Sequence, residues 1–219
     1  MGANTSFVLP AIATLRAQLG LPTVGRLVLY SGRFAADHPI DLLMDAAPLL
    51  MDQVKLIHFV LIGDGPTRHR LEADARRRLL DAAVIFAGDV PHAQVAQFAT
   101  ACDIGLHLSQ SVGSSRKPFN VAEIHDFVTA GRPVVVASDD ADSRCFVQAN
   151  DIGCAAALNG ERTRDIAGIV RAVGSMLLDD RVRIRRGENA RKLSKAIATT
   201  SSGGVMDLVR ATLRRAASL

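Results

Sequence analysis

Glycines and cations follow several predicted strands of this 219-residue chain, and together they suit a phosphate-bearing ligand. Gly32 and Arg33 come directly after the apolar run RLVLYS, and a guanidinium can bind a phosphate at two points. A second group precedes an apolar helix that begins near Pro118 or Asn120, whose positive end attracts anions. This group consists of Ser114, Ser115, Arg116 and Lys117. The sequence therefore predicts an anion site built from loops.

Arg33 and a glycine-rich run after the second predicted strand also have a purely structural interpretation. Arg33 on its own is compatible with an ordinary surface loop. The run Gly63-Asp64-Gly65-Pro66 is typical of a tight turn, with Pro66 at the first helical position and Asp64 or Gly65 near the N-cap. The N-terminus of the helix that follows can equally bind a small anion or sugar hydroxyls. The residues leave both interpretations open.

The carboxylates after the basic loop raise the same question. Asn120 and Glu123 have the spacing of a capping box, in which each side chain accepts a hydrogen bond from the other's backbone N–H, so a structural role is favoured for Glu123. Asp126 lies one turn further and faces either a ligand or solvent.

Apolar runs that end at glycine or serine alternate with helical patterns along the chain. The predicted strands are Arg26–Gly32, Lys55–Gly65, Ala83–Val90, Asp103–Ser109, Arg132–Ser138 and Gly153–Leu158. The predicted helices are Ile40–Met51, Pro66–Leu80, His92–Thr100, Thr163–Leu178, Val182–Ala198 and Val205–Ala217. This alternation predicts an α/β fold with a doubly wound parallel sheet and extra C-terminal helices. Ligands of such sheets bind beyond the carboxyl ends of the strands.

Composition narrows the class of protein. Hydrophobic residues make up 48% of the chain and charged residues 22%, with no apolar run long enough to span a membrane. The net charge of +4 favours anionic partners, although the basic runs also suit solvated helix faces. The absence of Trp and the single Tyr argue against a nucleic-acid partner that stacks bases. Three cysteines without metal-ligand spacing favour a reducing compartment, so a cytoplasmic location is expected.

Five stretches, taken in order, resemble the C-terminal, nucleotide-sugar-binding domain of retaining GT-B glycosyltransferases of family 4 (glycosyl transferases group 1). They are LVLYSGRFAADHPIDLLMDAAPLL, HFVLIGDGPTRHRLEADA, VIFAGDVPHAQVAQFATACDIGLHLS, AEIHDFVTAGRPVVVAS and NDIGCAAAL. The resemblance runs from about Leu27 to Ser194 and implies the Rossmann-like half of a GT-B fold. It also implies a UDP-, GDP- or ADP-sugar as donor substrate, with no separate cofactor and no metal.

The resemblance gives individual residues a role. Arg33 would pair with the donor diphosphate. Arg116 and Lys117 stand in a basic loop where the family usually has an acidic, Gly-rich one, and their charge makes them further candidate catalytic cations for the departure of the diphosphate. Asp126 would bind the ribose hydroxyls. Other residues would line the donor site, with Asp89 and Val90 next to the base and the loop before the 121–126 segment around the phosphate. These are Gly32, His38, Gly63, Asp64, Gly65, Pro66, Asp89, Val90, Ser114, Ser115, Phe119, Asn120 and Val121.

The chain departs from the family pattern at several of these positions. His38 replaces the usual Lys and Pro39 the Gly that follows it, and imidazole is mostly neutral at pH 7. Pro118 replaces the first Glu of a paired-Glu motif and Asp126 the second. A catalytically impaired nucleotide-sugar-binding or scaffolding domain is therefore an alternative hypothesis. A GT-B-like epimerase or phosphorylase is a third, without a catalytic His or cofactor Lys motif to support it.

The resemblance also predicts how the chain is organised. Residues 1–22 would form a linker helix from an N-terminal domain outside this chain, residues 23–198 the donor domain, and residues 199–219 a helix that packs back on the missing domain. The acceptor, a glycan or lipid-linked precursor of polysaccharide biosynthesis, would bind mainly to the missing domain. The chain would then be inactive alone. No transmembrane segment is expected, and peripheral contact with a membrane is compatible with this organisation.

Overall fold

Six parallel strands form the central sheet of the protein, whose computed structural model describes residues 5–112, 121–199 and 209–214, with side chains from residue 11 onward. The strands are β1 (Arg26–Ser31), β2 (Ile57–Ile62), β3 (Val84–Gly88), β4 (Ile104–Ser109), β5 (Val134–Ser138) and β6 (Gly153–Ala157). Their order across the sheet is β3-β2-β1-β4-β5-β6, and every neighbouring pair is parallel. The predicted α/β fold with a doubly wound parallel sheet is confirmed.

Helices cover both faces of the sheet. In the described ranges they are α1 (Thr5–Gln18), α2 (Ile40–Gln53), α3 (Arg68–Arg77), α4 (His92–Ala101), α5 (His125–Thr129), α6 (Ala141–Ala149), α7 (Arg162–Leu178) and α8 (Asp180–Ala198). A 3₁₀ turn over Val121–Ile124 leads into α5, and residues 209–214 are also helical. Helices α2, α3 and α7 pack on one face, and α1, α4, α5, α6 and α8 pack on the other. Across these ranges, we find no helix whose length and apolar content would suit a membrane span.

The apolar strands are explained by burial on both faces. In β1, Val28 and Tyr30 pack into the core beneath α2 and α7, whereas Leu27 and Leu29 pack into the core on the opposite face. Successive side chains of a strand point to opposite faces, so a sheet covered on both sides selects a continuous apolar run. Full burial of each such side chain contributes roughly 1.5–3 kcal/mol.

The strand order reverses between β1 and β4, which creates a crevice beyond their carboxyl ends. Helix α5 borders this crevice because it packs unusually close to β4. A Cβ atom added to Gly105 would lie 2.3 Å from the ring of Phe127, so only glycine at this position lets the Phe127 side chain of α5 approach the strand so closely. The same contact holds the neighbouring Asp126 near the crevice.

Helix α3 begins later than the sequence predicts. Its N-cap is Thr67 and its first residue is Arg68, so Pro66 is not the first helical residue and neither Asp64 nor Gly65 is the N-cap. The reason is a tertiary contact, since the Thr67 N–H donates to the carbonyl of Phe34 at 3.1 Å. Pro66 and Thr67 lie in a turn that is closed by the Arg68 N–H, which donates to the Gly65 carbonyl at 3.1 Å. A turn was predicted at residues 63–66, and the observed one is shifted towards the helix.

Two other segments differ from the sequence-based expectation. Helix α6 was not predicted, and it is capped by Asp140, whose carboxylate accepts from Ser143 N at 2.8 Å. The helix expected to begin near Pro118 or Asn120 is, in its described part, a 3₁₀ turn followed by one short α-helix. Of the predicted final helix Val205–Ala217, residues 209–214 are helical and the remainder lies outside the described residues.

Candidate functional site

Two adjoining cavities, here called the first and second rim cavities, lie beyond the carboxyl ends of the strands. Each has a volume of about 360 Å³. Both are bordered by the end of β1, where Ser31, Gly32 and Arg33 line the two cavities, and both are also lined by His92. The crevice at the strand-order reversal is thus a real concavity, where a doubly wound sheet is expected to bind its ligand.

The first rim cavity lies over β2 and β3 and collects predicted residues from three loops. Gly32 and Arg33 come from the loop after β1, Gly63 and Asp64 from the turn after β2, and the remaining members from the loop after β3 and from α4. Its lining includes Asp89, Val90, His92 and Val95. Three loops distant in sequence therefore meet at one rim, as the sequence predicts.

Close backbone packing at this rim requires glycine. Gly63 has φ 130°, and a Cβ at this position would lie 1.9 Å from the carbonyl oxygen of Gly32. Gly65 has φ 155°, and a Cβ there would lie 2.4 Å from the Phe34 carbonyl oxygen. The Phe34 N–H donates to the carbonyl of Asp64 at 2.9 Å. The loop after β1 and the turn after β2 are consequently locked together, and they place Arg33 beside the cavity.

Tyr30 holds the backbone of Arg33 in position. Its hydroxyl donates to the Arg33 carbonyl at 3.0 Å, and a Cβ at Gly32 would lie 2.9 Å from that hydroxyl oxygen. Burial raises the pKa of Tyr30, and the negative charges of Asp37 and Glu123 raise it further. The phenol therefore stays neutral and remains a donor to this carbonyl.

The guanidinium of Arg33 is exposed at the border of both rim cavities. It forms no ion pair or hydrogen bond with any residue that the structure describes, unlike Arg68, which is paired with Glu72 at 2.8 Å. An uncommitted guanidinium beside a cavity is available for two-point binding of a phosphate.

The second rim cavity also contains His38. His38 Nδ1 lies 3.0 Å from the carbonyl oxygen of Leu108, which assigns the proton to Nδ1, and its Nε2 lies 3.7 Å from Asp37 Oδ2. His38 and Arg33 line the same cavity. The imidazole is thus anchored to β4 through one nitrogen, while the other lies on the side of Asp37.

A buried histidine paired with a half-buried glutamate forms the floor of the second rim cavity. His107, on β4, is only 5% exposed, and its Nε2 lies 3.2 Å from Glu123 Oε2. The ring of His38 is edge-on to that of His107, with centroids 6.5 Å apart. Glu123 thus contacts His107, and the predicted capping role stays a prediction because its capping partner Asn120 lies outside the described residues.

Asp126 also lines the second rim cavity, with its side chain 24% exposed. Asp126 directly precedes Phe127 on α5. The contact of Phe127 with Gly105 sets the distance between α5 and β4. The second rim cavity thus combines cationic or neutral nitrogen groups with two carboxylates, Glu123 and Asp126. Carboxylates accept hydrogen bonds and suit ligand hydroxyls, whereas Arg33 suits a phosphate.

Three further predicted site residues line neither cavity, and six lie outside the described residues. Val121 is 4% exposed, belongs to the core, and lines neither rim cavity. Gly65 and Pro66 form the turn behind Asp64 and do not line either cavity themselves. A group of eight consecutive residues, 113–120, lies outside the described residues. It includes the predicted site residues Ser114, Ser115, Arg116, Lys117, Phe119 and Asn120.

Sequence reasoning missed His92, His107 and the cavity role of Glu123. His107 carried a signal, because a histidine inside the buried strand DIGLHLS must find a polar partner. His92 stands at the first residue of α4, whose start faces the rim, and nothing in its local sequence distinguishes it. Within the described ranges, no three His, Cys, Asp or Glu side chains are grouped as a metal site would require.

The fold and the rim cavities define a doubly wound α/β domain with a candidate ligand site beyond the carboxyl ends of its strands, and comparison with known families shows which family the domain belongs to. The glycosyl transferases group 1 family matches residues 11–193. This match covers most of the chain, and the protein therefore belongs to that family.

A related sequence and several solved structures agree with this assignment. TuaC of Bacillus subtilis (strain 168), assigned to teichuronic acid biosynthesis as a glycosyltransferase, is 34% identical over 99 residues. That alignment covers 45% of this chain and 23% of TuaC. The chain is thus similar to a part of TuaC.

Among solved structures, sucrose-phosphate synthase from Thermosynechococcus elongatus is similar with a TM-score of 0.68 and 25% identity, over 84% of this chain and 44% of that one. Anabaena HepE in complex with UDP and glucose gives a TM-score of 0.69 and 21% identity, over 89% of this chain and 48% of that one. The C-terminal domain of the group 1 protein LpcC from Francisella tularensis gives 0.68 and 15%, over 84% of this chain and 91% of that domain.

The chain covers only part of most of these relatives. The chain spans just under half of the sucrose-phosphate synthase and HepE chains, and less than a quarter of TuaC. It matches nearly all of the LpcC C-terminal domain. The predicted GT-B relationship and Rossmann-like fold are confirmed, with a sheet shared by glycosyltransferases of this architecture.

Proposed function

We propose that this chain is the donor-binding half of a glycosyltransferase that moves a sugar from a nucleoside diphosphate to an acceptor. The observation that carries the proposal is the uncommitted guanidinium of Arg33, held at the crevice between β1 and β4 by Tyr30 and by the locked glycine turns. A diphosphate in the crevice would supply the anion that this guanidinium lacks among the described residues.

Sugar transfer from a nucleoside diphosphate requires positive charge near the leaving diphosphate. Cleavage of the bond between the anomeric carbon and the diphosphate oxygen leaves the electron pair, and so the negative charge, on that oxygen. A cation within about 4 Å in a water-poor crevice contributes several kcal/mol to this step. Arg33 is positioned for this role, and Arg116 and Lys117 remain predicted contributors from outside the described residues.

The carboxylates and the loop after β3 would fix the rest of the donor. Asp126 lines the second rim cavity, where its carboxylate can accept hydrogen bonds from ribose hydroxyls. Asp89 and Val90 line the first rim cavity, where their backbone can meet the base. We infer that the base would lie over β2 and β3 and the diphosphate between β1 and β4.

The relatives support a role in building a glycan. HepE was solved with UDP and glucose, and TuaC is assigned to teichuronic acid biosynthesis. We infer a retaining transfer to a glycan or lipid-linked precursor in polysaccharide biosynthesis. We also infer that a second domain outside this chain holds the acceptor, so that this chain alone binds the donor without turning it over.

Calorimetry with UDP, GDP and ADP tests the proposal on the chain as it stands. At least one nucleoside diphosphate should bind at submillimolar to millimolar concentration, and the matching nucleoside should bind more weakly because it lacks the diphosphate. If none of the three bound at millimolar concentration, the donor-binding role would be wrong.

The alternative of a catalytically impaired binding or scaffolding domain rests on His38, an imidazole where a permanent cation is usual in the family, beside Arg33 in the second rim cavity. It makes the same prediction for binding and a different one for turnover. A protein that joins this chain to an acceptor domain would bind the donor without releasing nucleoside diphosphate over time. Release that depends on the acceptor would support the enzyme.

A further inference from the structure

Three of the six histidines in the chain line the second rim cavity. His38 comes from the loop after β1, His92 from the first residue of α4 and His107 from β4. These positions are far apart in sequence, so it is the fold that brings the three imidazoles to the cavity that Arg33 also lines. Imidazole is the side chain whose charge changes most readily near neutral pH. The charge of this cavity therefore depends on the number of protons that the three rings carry.

The fixed charges of this cavity suit a diphosphate poorly. Among the described residues that line it, Arg33 supplies one positive charge, and Glu123 and Asp126 supply two negative charges. Asp37 adds a further carboxylate, whose Oδ2 lies 3.7 Å from His38 Nε2. With all three imidazoles neutral, these groups are net negative and would repel a diphosphate that carries two negative charges. An additional positive charge in the cavity would therefore favour entry of the diphosphate.

His38 is the histidine best placed to supply that charge. Its Nδ1 lies 3.0 Å from the Leu108 carbonyl oxygen, so this nitrogen carries the proton of the neutral ring. A second proton can then be added only at Nε2, on the side where Asp37 provides an anion next to the new charge. Nδ1 remains a donor to Leu108 in the charged ring, and the same anchor to β4 therefore holds the ring in both states.

The other titratable groups around the cavity are less suited to take up a proton for a ligand. His107 is buried and its Nε2 faces Glu123 at 3.2 Å, so its charge state is tied to that carboxylate. His92 stands at the first residue of α4, where the positive end of the helix macrodipole makes a further positive charge unfavourable. Tyr30, which holds the Arg33 carbonyl, stays neutral because burial raises the pKa of its phenol. Of these groups, His38 is the one expected to respond to an anion.

We propose that the diphosphate of the donor binds together with one proton, which His38 takes from solvent at Nε2. This inference rests on the proposed donor-binding function and adds to it a residue that becomes cationic only when the ligand binds. The imidazolium of His38 and the guanidinium of Arg33 then border the same cavity. Because binding and protonation are linked, affinity rises as the pH falls, and the bound ligand in turn favours the charged ring.

The probe for this proposal has to keep a constant charge while the pH changes. A free nucleoside diphosphate is unsuitable, because its terminal phosphate itself gains a proton at about pH 6. The probe is therefore the methyl ester of UDP, GDP or ADP, whichever of these nucleoside diphosphates binds. The ester carries the same diphosphate with two charges that do not titrate near neutral pH.

Calorimetry on the full chain in buffers of different ionisation enthalpy measures the proton uptake directly. Near neutral pH the chain should take up a substantial fraction of one proton for each ester bound. Its affinity should fall about tenfold as the pH is raised from about 6 to about 8, through the range in which imidazole loses its charge.

Two other results separate this inference from the donor-binding role. Binding of the ester without proton uptake would overturn the inference and leave the donor-binding role intact. Positive charge from Arg116 and Lys117 would give that result, since neither side chain titrates near neutral pH. If none of the three nucleoside diphosphates bound, both the inference and the donor-binding role would be wrong.

Replacement of His38 identifies the ring that takes the proton. His38→Asn keeps an amide N–H close to the position of Nδ1 for the Leu108 carbonyl but has no Nε2. Proton uptake should therefore disappear, and the affinity should become nearly independent of pH. His38→Lys carries a permanent charge, so it should also bind without proton uptake, and at about pH 8 it should bind more tightly than His38→Asn.

His58→Asn is the matched control. His58 Nδ1 also lies near a backbone carbonyl, that of Ala82 at 3.2 Å, but the residue is close to the amino end of β2 and lines neither rim cavity. This variant should take up protons and bind the ester as the unsubstituted chain does. Uptake that persisted in His38→Asn, or that was lost equally in His58→Asn, would show that His38 does not bind the proton and would overturn the inference.

Discussion

The imidazole of His107 and the carboxylate of Glu123 meet beneath the second rim cavity, with 3.2 Å between Nε2 and Oε2. His107 comes from the middle of a buried strand and Glu123 from the 3₁₀ turn before α5. The pair therefore joins the sheet to the segment that carries Asp126. Loss of this contact is therefore expected to affect both the stability of the fold and the position of Asp126 in the candidate site.

Removing the carboxylate should destabilise the protein through the histidine left behind. Glu123→Ala deprives a 5% exposed imidazole of an ionic or hydrogen-bond partner, so the free energy of unfolding should fall by about 1–3 kcal/mol. Glu123→Gln keeps a hydrogen-bonding group and should cost less than half as much. Urea unfolding of the two variants measures the difference, and equal losses would show that the side-chain contact with His107 does not contribute.

The glycine at the carboxyl end of β2 should be much less replaceable than one in open space. Gly63→Ala brings a Cβ within 1.9 Å of the Gly32 carbonyl oxygen at φ 130° and should cost about 3 kcal/mol. Gly20 also has positive φ, at 68°, but nothing lies within 4 Å of an added Cβ, so Gly20→Ala should cost about 1 kcal/mol. Thermal unfolding compares them, and similar losses would rule out the backbone clash as the cause.

Acid should weaken the ion pairs at the end of α3. Burial raises the pKa of Asp74, but hydrogen bonds and charge from Arg78 and Arg77 outweigh it and leave the pKa below its ordinary value. The unfolded chain then binds more protons near and below the ordinary aspartate value of about 3.9. The stabilisation is therefore fully present above that value and is lost as pH falls through the lower folded pKa.

The matching experiment follows the stability of Asp74→Asn against pH. The variant should be less stable than the unsubstituted chain at neutral pH, and the difference should shrink as the pH falls below about 4. Asp81→Asn is the control, because Asp81 is exposed and forms no ion pair with the described residues. A stability difference for Asp74→Asn that stayed constant from neutral pH to acid would contradict the assignment.

The sheet could be predicted from the sequence because burial on both faces requires a continuous run of apolar residues in each strand. Each strand is a short apolar run that ends at a rim residue such as Gly32, and all six predicted strands are present. The apolar pattern of helix α6 is weaker, because only Phe146 and Val147 among its apolar side chains are buried in the core. Its capping pair Asp140 and Ser143 was the available signal.

The candidate site could be predicted in part. Glycines after strands and the cation at Arg33 mark the rim locally, and the structure brings them to common cavities. The His107–Glu123 contact joins residues on different elements, so no local spacing encodes it. The start of α3 was predicted wrongly for the same reason, because the Phe34 carbonyl that receives the Thr67 N–H is distant in sequence.

Nucleoside diphosphate affinity of Arg33 variants tests the central claim most directly. By calorimetry, Arg33→Ala should weaken binding of the preferred diphosphate by about 1–3 kcal/mol, the value of a charged hydrogen bond, while Arg33→Lys should recover only part of it. Arg171→Ala is the matched control, an exposed arginine on α7 that lines neither rim cavity. Unchanged affinity in Arg33→Ala, or an equal loss in Arg171→Ala, would contradict a diphosphate site at the crevice between β1 and β4.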